Sequence, residues 1–528
     1  MIAVSDKWRE AHNESILPES FVEISYEVTE PGLQESATES NNGVTAFSDH
    51  ASILELPYKD FRRYATLEHN MWGLDGSFDV LPNSAPYGET GYVSSHLVGG
   101  STNPVISISF DSVRTQAIPG ITITWSSEYE EYATRFQVAA YNGSNQIFSQ
   151  IFENSEIKTT CEFSLAGYTE IRVTVLGWSV PSHRARIERV FLGVKNTYTK
   201  SELISYTHTQ FGDVLSAELP KNSITFSLDN TSGMWNPDNL TGNVKYLAEQ
   251  QQLTVRYGLK LDDEIEWIDA GTFWLSEWTT SSNGLEVSFT ARDLIEFMAD
   301  IYVGVTSGTL YDIARSAFEQ ANLPLRDNGE PRYWISDDLK EWRLDFPEDT
   351  IGQYTLAEIV QLCANAACCV MYQDRQGVMR VEPLRKNTSG YAIKRFESYT
   401  HPEFTFTKPL KAVSVNEGMG YAANSAVGET QVLDNQLISN ETMANRVAEW
   451  VRKMLAGRKT LSGEYRADPR LDAFDMIAVE SKYGMNNAIY VTNVEYTYSG
   501  AFKGVYTGLI TEFESPKWYS GELIAGEV

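Results

Sequence analysis

Cysteine, histidine and basic charge are all scarce in this sequence, and each shortage removes a class of function. The four cysteines among 528 residues, Cys161, Cys363, Cys368 and Cys369, show no CxxC and no histidine spacing, and three fall in or just after one predicted helix. That pattern argues against a disulfide framework and a zinc site, and leaves small buried apolar thiols in a chain that folds in a reducing cytoplasm. Apolar surroundings also make Cys161 and Cys363 poor nucleophiles. The seven histidines, His12, His50, His69, His96, His183, His208 and His401, are scattered without HExxH or other ligand spacing, and no GxSxG, Walker, GxGxxG or Cys-His arrangement stands out. No metal, no cofactor and no enzymatic chemistry are therefore expected. Against 71 Asp and Glu stand 42 Lys and Arg, a formal net charge of −29. Nucleic-acid affinity comes mainly from basic side chains that release counterions from phosphates, so the balance argues against a duplex-DNA binder. Long apolar runs are missing too. No stretch is long enough to span a bilayer, and Asp6, Lys7, Arg9 and Glu10 break up the start where a signal peptide would need an apolar run.

What is present points to several β-rich domains. A chain of 528 residues exceeds one core and suggests three or four domains. With 42% hydrophobic and 12% aromatic residues it can bury sizeable cores, and 12 Trp, 28 Tyr and 23 Phe in short alternating runs favour strands over helices. The clearest local pattern lies at 271–300. Leu285, Val287, Phe289 and Ala291 alternate with Glu286, Ser288 and Thr290, as in a half-buried strand. Asn283-Gly284 supplies a hairpin turn back to the aromatic-rich run 272–279. Asp293 then offers a cap to a helical run with Leu294, Ile295, Phe297 and Met298.

The remainder reads in the same terms. Residues 5–12 predict a short helix with Ser5 as cap and Trp8 inward, followed by a strand at 21–28 and a polar segment at 32–48. Short runs at 105–110, 120–125, 135–141, 146–152, 159–163, 170–176 and 185–190, with Asn142-Gly143 as a hairpin turn, read as a β-sandwich. Thr309 caps a helix over 310–322, Thr355 and Glu358 form a capping-box pattern for a second, and Asn440 caps a third that Gly457 stops. In that third helix Met443, Val447, Trp450, Val451, Met454 and Leu455 form the expected buried stripe. Hairpins are expected at 370–382 and at 488–511.

Several segments, in order, carry a resemblance. Gly271-Thr272-Phe273-Trp274-Leu275-Ser276-Glu277-Trp278, followed by Phe289-Thr290-Ala291-Arg292-Asp293, resembles a signature of hub proteins in phage tail tips and baseplates, chiefly from phages of Gram-positive bacteria. The stretches 215–220 and 224–228, Asp229-Asn230, Met234-Trp235-Asn236-Pro237 and 253–258 resemble successive elements of the same family, as does the closing hairpin. Residues 64–78 resemble the opening of a module inserted in such proteins, and the sandwich is similar to galactose-binding-like carbohydrate modules.

The resemblance implies a mainly β chain with α+β parts. It divides into a tube-like hub barrel from 1–45 plus 195–300, an inserted jelly-roll sandwich at 46–194, a small α+β domain at 301–383, and a second hub domain at 384–528 with helix 440–456. It implies a homotrimer in the virion tail, made in the host cytoplasm and released by lysis. Its partners would be a distal tail or tube protein, a tape-measure protein and a host cell-wall glycan, with DNA only in transit past an acidic wall. A sugar site on the sandwich needs exposed aromatic faces with polar groups at the rim. Trp125, Tyr129, Tyr132 and Trp178 are the candidates, with Glu128 or Arg135 as polar partners. Two other readings are a cell-wall glycan hydrolase carrying a binding module and the hub of a bacterial contractile injection system. For the first, the run Glu128, Glu130 and Glu131 is the obvious carboxylate group, although a solvated acidic loop explains it more simply.

Overall fold

In the computed structural model the two ends of the chain are woven into one sheet. The structure describes residues 2–510 apart from 15, 29–32, 35, 55–62, 67, 74, 79–88, 240–243, 245–246, 248–249, 263, 327–329, 346–351, 385–390, 458 and 485. The fold is mainly β with α+β parts. The largest sheet has 13 strands. Its main path runs Val194–Tyr198, Ser20–Val28, Gln252–Leu261, Glu264–Thr280, Glu286–Arg292, Lys221–Asp229, Leu203–Phe211, Asn486–Tyr498, Phe502–Ile510, Lys459–Tyr465 and Glu403–Phe406. The N-terminal and C-terminal portions, expected as separate barrels, meet where Tyr206 to Phe211 pair with Tyr498 to Asn493. One core lies beneath both. Trp8, Tyr206, Phe226, Tyr257, Phe273 and Phe289 from the first portion pack in the same cluster as Leu461, Tyr465, Val491, Tyr496 and Phe502 from the last.

Local sequence explains most elements. Ser5 caps helix α1, Asp6–Asn13, through Trp8 N–H, and Trp8 is fully buried. In the hairpin at the centre of the chain, Val287, Phe289 and Ala291 are buried, while Leu285 falls in the turn and stays exposed. Gly284 turns with φ +70°, a left-handed conformation that costs glycine little. Asn230 pins that turn from outside: its amide donates to Gly284 O and Asn236 Oδ1 at 2.9 Å each, and its Oδ1 accepts Trp235 N–H at 2.9 Å. Trp235 then packs edge-on to Phe289 at 5.1 Å. The segments that carried the resemblance thus converge on one knot of hydrogen bonds and aromatic rings. Asp293 does cap the next segment, accepting from Ile295 N–H, but the expected helix is only a single 3-10 turn, Leu294–Met298.

A second core holds the α+β part. Thr309 and Thr355 cap α2, Leu310–Ala321, and α3, Leu356–Ala366, each in a reciprocal capping box. Helix α4, Glu441–Leu455, is capped by Asn440, and the three-stranded sheet of Leu410–Val415, Gly420–Ala423 and Glu429–Leu433 packs with it. These elements, expected with the second hub domain, share their core with α2 and α3: Val413, Val415, Met443, Val447 and Val451 cluster with Ile313, Phe318, Leu356 and Val360. Trp450 is only half-buried at the edge of that cluster.

The third core is the inserted sandwich. A five-stranded sheet, in order Thr38–Asn41, Val105–Arg114, Tyr168–Trp178, Ala133–Asn142 and Asn145–Glu153, faces a three-stranded one of Lys158–Leu165, Ile118–Thr124 and Arg189–Phe191. Ile106, Ile108, Val138, Ile171 and Val173 from the first sheet meet Ile121, Ile123, Cys161 and Val190 from the second. Thr38–Asn41 belongs to this sheet although it precedes the expected start at 46. Among the described residues no helix is long and apolar enough to cross a membrane.

Candidate functional site

The structure separates the four aromatic candidates. Trp125 follows directly on the strand Ile118–Thr124, with the same inward parity as Ile121 and Ile123, and is fully buried. Its ring meets Phe136 at 5.0 Å and Trp178 at 6.0 Å, both edge-on, and its indole N–H donates to Thr159 Oγ1 at 2.8 Å. It is a core residue with no face left for a sugar, which corrects the sequence expectation. Tyr129 is occupied in a different way. Arg63 and Arg186 place guanidinium carbons 5.7 and 4.8 Å from its ring centre, and burial pushes its phenol well above the ordinary range. The guanidiniums take the faces that a pyranose would need.

Tyr132 and Trp178 remain half-buried side by side at one rim of the sandwich, where Ser179 N–H donates to Tyr132 O at 2.9 Å. The Trp178 indole N–H is committed to Glu131 Oε2 at 2.6 Å. Of the polar partners, Glu128 is paired with Arg63 and Arg135 with Glu153 at 3.1 Å. Glu131, expected in a solvated loop, is in fact buried.

Beneath this rim lies a buried ionic network that local sequence did not announce. Arg186, with 3% of its side chain exposed, forks onto Glu68 through Nη1 at 2.9 Å and Nη2 at 3.0 Å, and reaches Glu89 through Nε at 2.7 Å. Burial pushes the Glu68 carboxyl up, but the Arg186 guanidinium outweighs it and holds the group below the usual carboxylate range. For Glu89 burial wins and the carboxyl is raised. His183 joins the network through Nδ1 to Glu131 Oε1 at 2.7 Å, while its Nε2 faces the backbone carbonyl of His69 at 2.6 Å. These bonds pin the segment around Glu68 and His69 onto the strand Arg184–Ile187. They join segments far apart in the chain within the dry interior: Glu68 and Arg186 are 118 residues apart, and His69 and His183 are 114 apart.

The four cysteines are free, and burial pushes the Cys161 thiol up to about 12 and Cys368 to about 11. Among the described residues no group of three or more His, Cys, Asp or Glu side chains is placed to hold a metal ion.

Comparison with known proteins gives a likeness of fold. No protein-family model and no curated protein sequence matches the chain. Among solved structures it is similar to the 43 kDa tail protein of a Shewanella oneidensis prophage, at 13% identity over 60% of this chain and 95% of that one, with a TM-score of 0.41. It is similar to a tail protein from Neisseria meningitidis, at 12% identity over 60% and 94% of the two chains, with a TM-score of 0.42. A component of the Escherichia coli type VI secretion system matches at 10% identity over 59% and 74%, with a TM-score of 0.35. At such identity and superposition these likenesses carry no argument about function.

Proposed function

We propose that the chain is a structural virion protein, the homotrimeric hub of a phage tail tip or baseplate, which closes the tail tube and links it to host-attachment parts. The observation that carries this reading is the single sheet built by both ends of the chain. Among the described strands its main path is open, and the two end strands of that path, Val194–Tyr198 and Glu403–Phe406, each pair with one neighbour only, as does Ala392–Ile393 at the end of a side branch. Every residue of Glu403–Phe406 is exposed, with Phe404 at 39% and Phe406 at 65%. An exposed edge bearing aromatic side chains, as Glu403–Phe406 does, is a site where another chain adds. One edge of each copy meeting the opposite edge of the next is a heterologous contact, and such contacts close into a ring when a threefold rotation relates successive copies.

The sequence resemblance supplies the rest. The ring would sit against a distal tail or tube protein, and the acidic surface would let DNA and a tape-measure protein pass without sticking. The inserted sandwich is the part that would meet host glycans, and three copies on one particle would raise weak attachment by roughly 10²- to 10⁴-fold. Sedimentation of the purified chain tests the reading. A species of three chains is expected, reduced to one chain by the double substitution Phe404→Glu and Phe406→Glu. A single-chain particle at all concentrations, also with tube protein added, would overturn it.

A further inference from the structure

The outer face of the five-stranded sheet in the sandwich carries a shallow groove of about 390 Å³. Alternate residues of its strands enter the core, so the residues between them floor the groove. The registers align this floor in rows across the strands: Ser40 lies opposite Ser107, Ser107 opposite Arg172, and Thr174 opposite Gln137. The four strands involved span roughly 14 Å from first to last, room for a short run of linked sugar rings.

Most of the residues lining the groove carry a hydroxyl or an amide. The hydroxyls of Ser40, Ser107 and Thr174 make no hydrogen bond to the described residues, and the Gln137 amide donates to Ser149 Oγ at 2.8 Å while its carbonyl oxygen is unengaged. Arg172 lies over the Tyr141 ring at 4.4 Å and is held there by Glu170, with Nη2 at 2.8 Å and Nε at 3.1 Å from the same oxygen. The one cation in the floor is therefore already neutralised. An anionic polymer finds no unpaired positive charge here, and an apolar segment finds mostly hydroxyl and amide groups. A chain dense in hydroxyls, alternately donating and accepting, matches what is offered.

We propose that this sheet face binds a neutral glycan laid across the strands, with Ser40, Ser107, Gln137 and Thr174 exchanging hydrogen bonds with its hydroxyls and the Tyr141–Arg172 stack supporting a ring. The proposal rests on reading the sandwich as the glycan-binding part of the hub, and it moves the site from the Tyr132–Trp178 rim to the sheet. Calorimetric titration of the full chain tests it, using β-linked hexasaccharides of glucose, N-acetylglucosamine and galactose, with polygalacturonate as the anionic control. At least one neutral hexasaccharide is expected to bind with Kd below about 1 mM. Ser107→Trp, which fills the groove, should abolish binding; Gln137→Ala and Thr174→Val should each weaken it several-fold up to about tenfold at an unchanged melting temperature. Binding of polygalacturonate alone, no neutral binding at millimolar concentration, or loss in Trp178→Phe with the groove variants unaffected would each overturn the proposal. Sedimentation of the same samples separates the two readings. Three-chain particles that bind no sugar refute the groove and leave the hub standing, and a sugar-binding single chain refutes the hub.

Discussion

Replacing Arg375 with methionine should loosen the joint between the α+β domain and the shared sheet. Arg375 sits in the turn between the strands Val370–Gln373 and Met379–Glu382, with 4% of its side chain exposed. Its Nε lies 3.0 and 2.9 Å from the two oxygens of Asp472, its Nη2 donates to Pro469 O at 2.7 Å, and its Nη1 donates to Asp269 O at 2.8 Å. One guanidinium thus joins the turn to the strand Glu264–Thr280 and to the loop before the C-terminal strands. Methionine fills much of the volume but leaves the Asp472 carboxylate with Gln210 as its remaining side-chain donor, at 2.9 Å. Breaking a buried pair by removing one partner costs about 3–5 kcal/mol. The Asp472 side chain keeps 27% of its surface exposed, which places the loss near about 3 kcal/mol. Lysine should rescue little of this, because an ammonium cannot reproduce the planar fork. The double change Arg375→Met with Asp472→Asn removes the stranded charge and should recover a substantial part of the loss. Urea unfolding of the full chain, followed by tryptophan fluorescence, reads all three variants. A single variant within about 0.5 kcal/mol of wild type, or a double variant no more stable than the single, would show that Arg375 does not hold this joint.

Other positions give sharper chemical tests. Burial pushes the Asp293 carboxyl from 3.8 up to about 7, and its Oδ2 makes no hydrogen bond among the described residues. The folded chain therefore holds a proton that the unfolded chain releases, and stability should fall as pH rises from about 4 to 7, by about 4 kcal/mol in all. Asp293→Asn should flatten that slope in urea titrations run across the window. His208 works in the opposite sense: burial lowers it from 6.5 to about 4, and its ring is engaged by Tyr257 Oη at 2.7 Å and Asn222 Oδ1 at 2.8 Å. Its contribution is complete above pH 6.5 and lost as pH falls toward 4, so an acid-side loss should persist in the Asp293→Asn protein. Asn440→Ala removes the α4 cap and should cost about 1 kcal/mol in thermal or urea unfolding. Gly420→Ala would set a methyl 2.3 Å from the backbone carbonyl of Ala444 and should cost about 1–3 kcal/mol by forcing α4 off its sheet.

Features held by neighbouring residues are legible in the sequence, and features held across the chain are not. The caps Ser5, Thr309, Thr355 and Asn440 are decided within four residues, and each is found where the spacing places it. The hairpin around Asn283-Gly284 follows from turn chemistry and a two-residue period. The pairing of Leu203–Phe211 with Asn486–Tyr498 joins segments nearly three hundred residues apart, and no local period encodes it. The same holds for Arg186 and Glu68. Trp125 is a different kind of miss. Ile121, Ile123 and Trp125 share one parity, so the alternation already points the indole inward; aromatic type taken without position makes it a false candidate. The groove on the sheet face is lined mostly by Ser, Thr, Asn and Gln, which on a strand look like any solvated surface until the registers align them.

Three copies, on this reading, complete what one chain leaves open. Negative-stain images of the purified full chain, alone and mixed with tube protein, are the decisive experiment. Three-lobed annular particles are expected. A field of solitary particles with no annulus under either condition would rule the hub out.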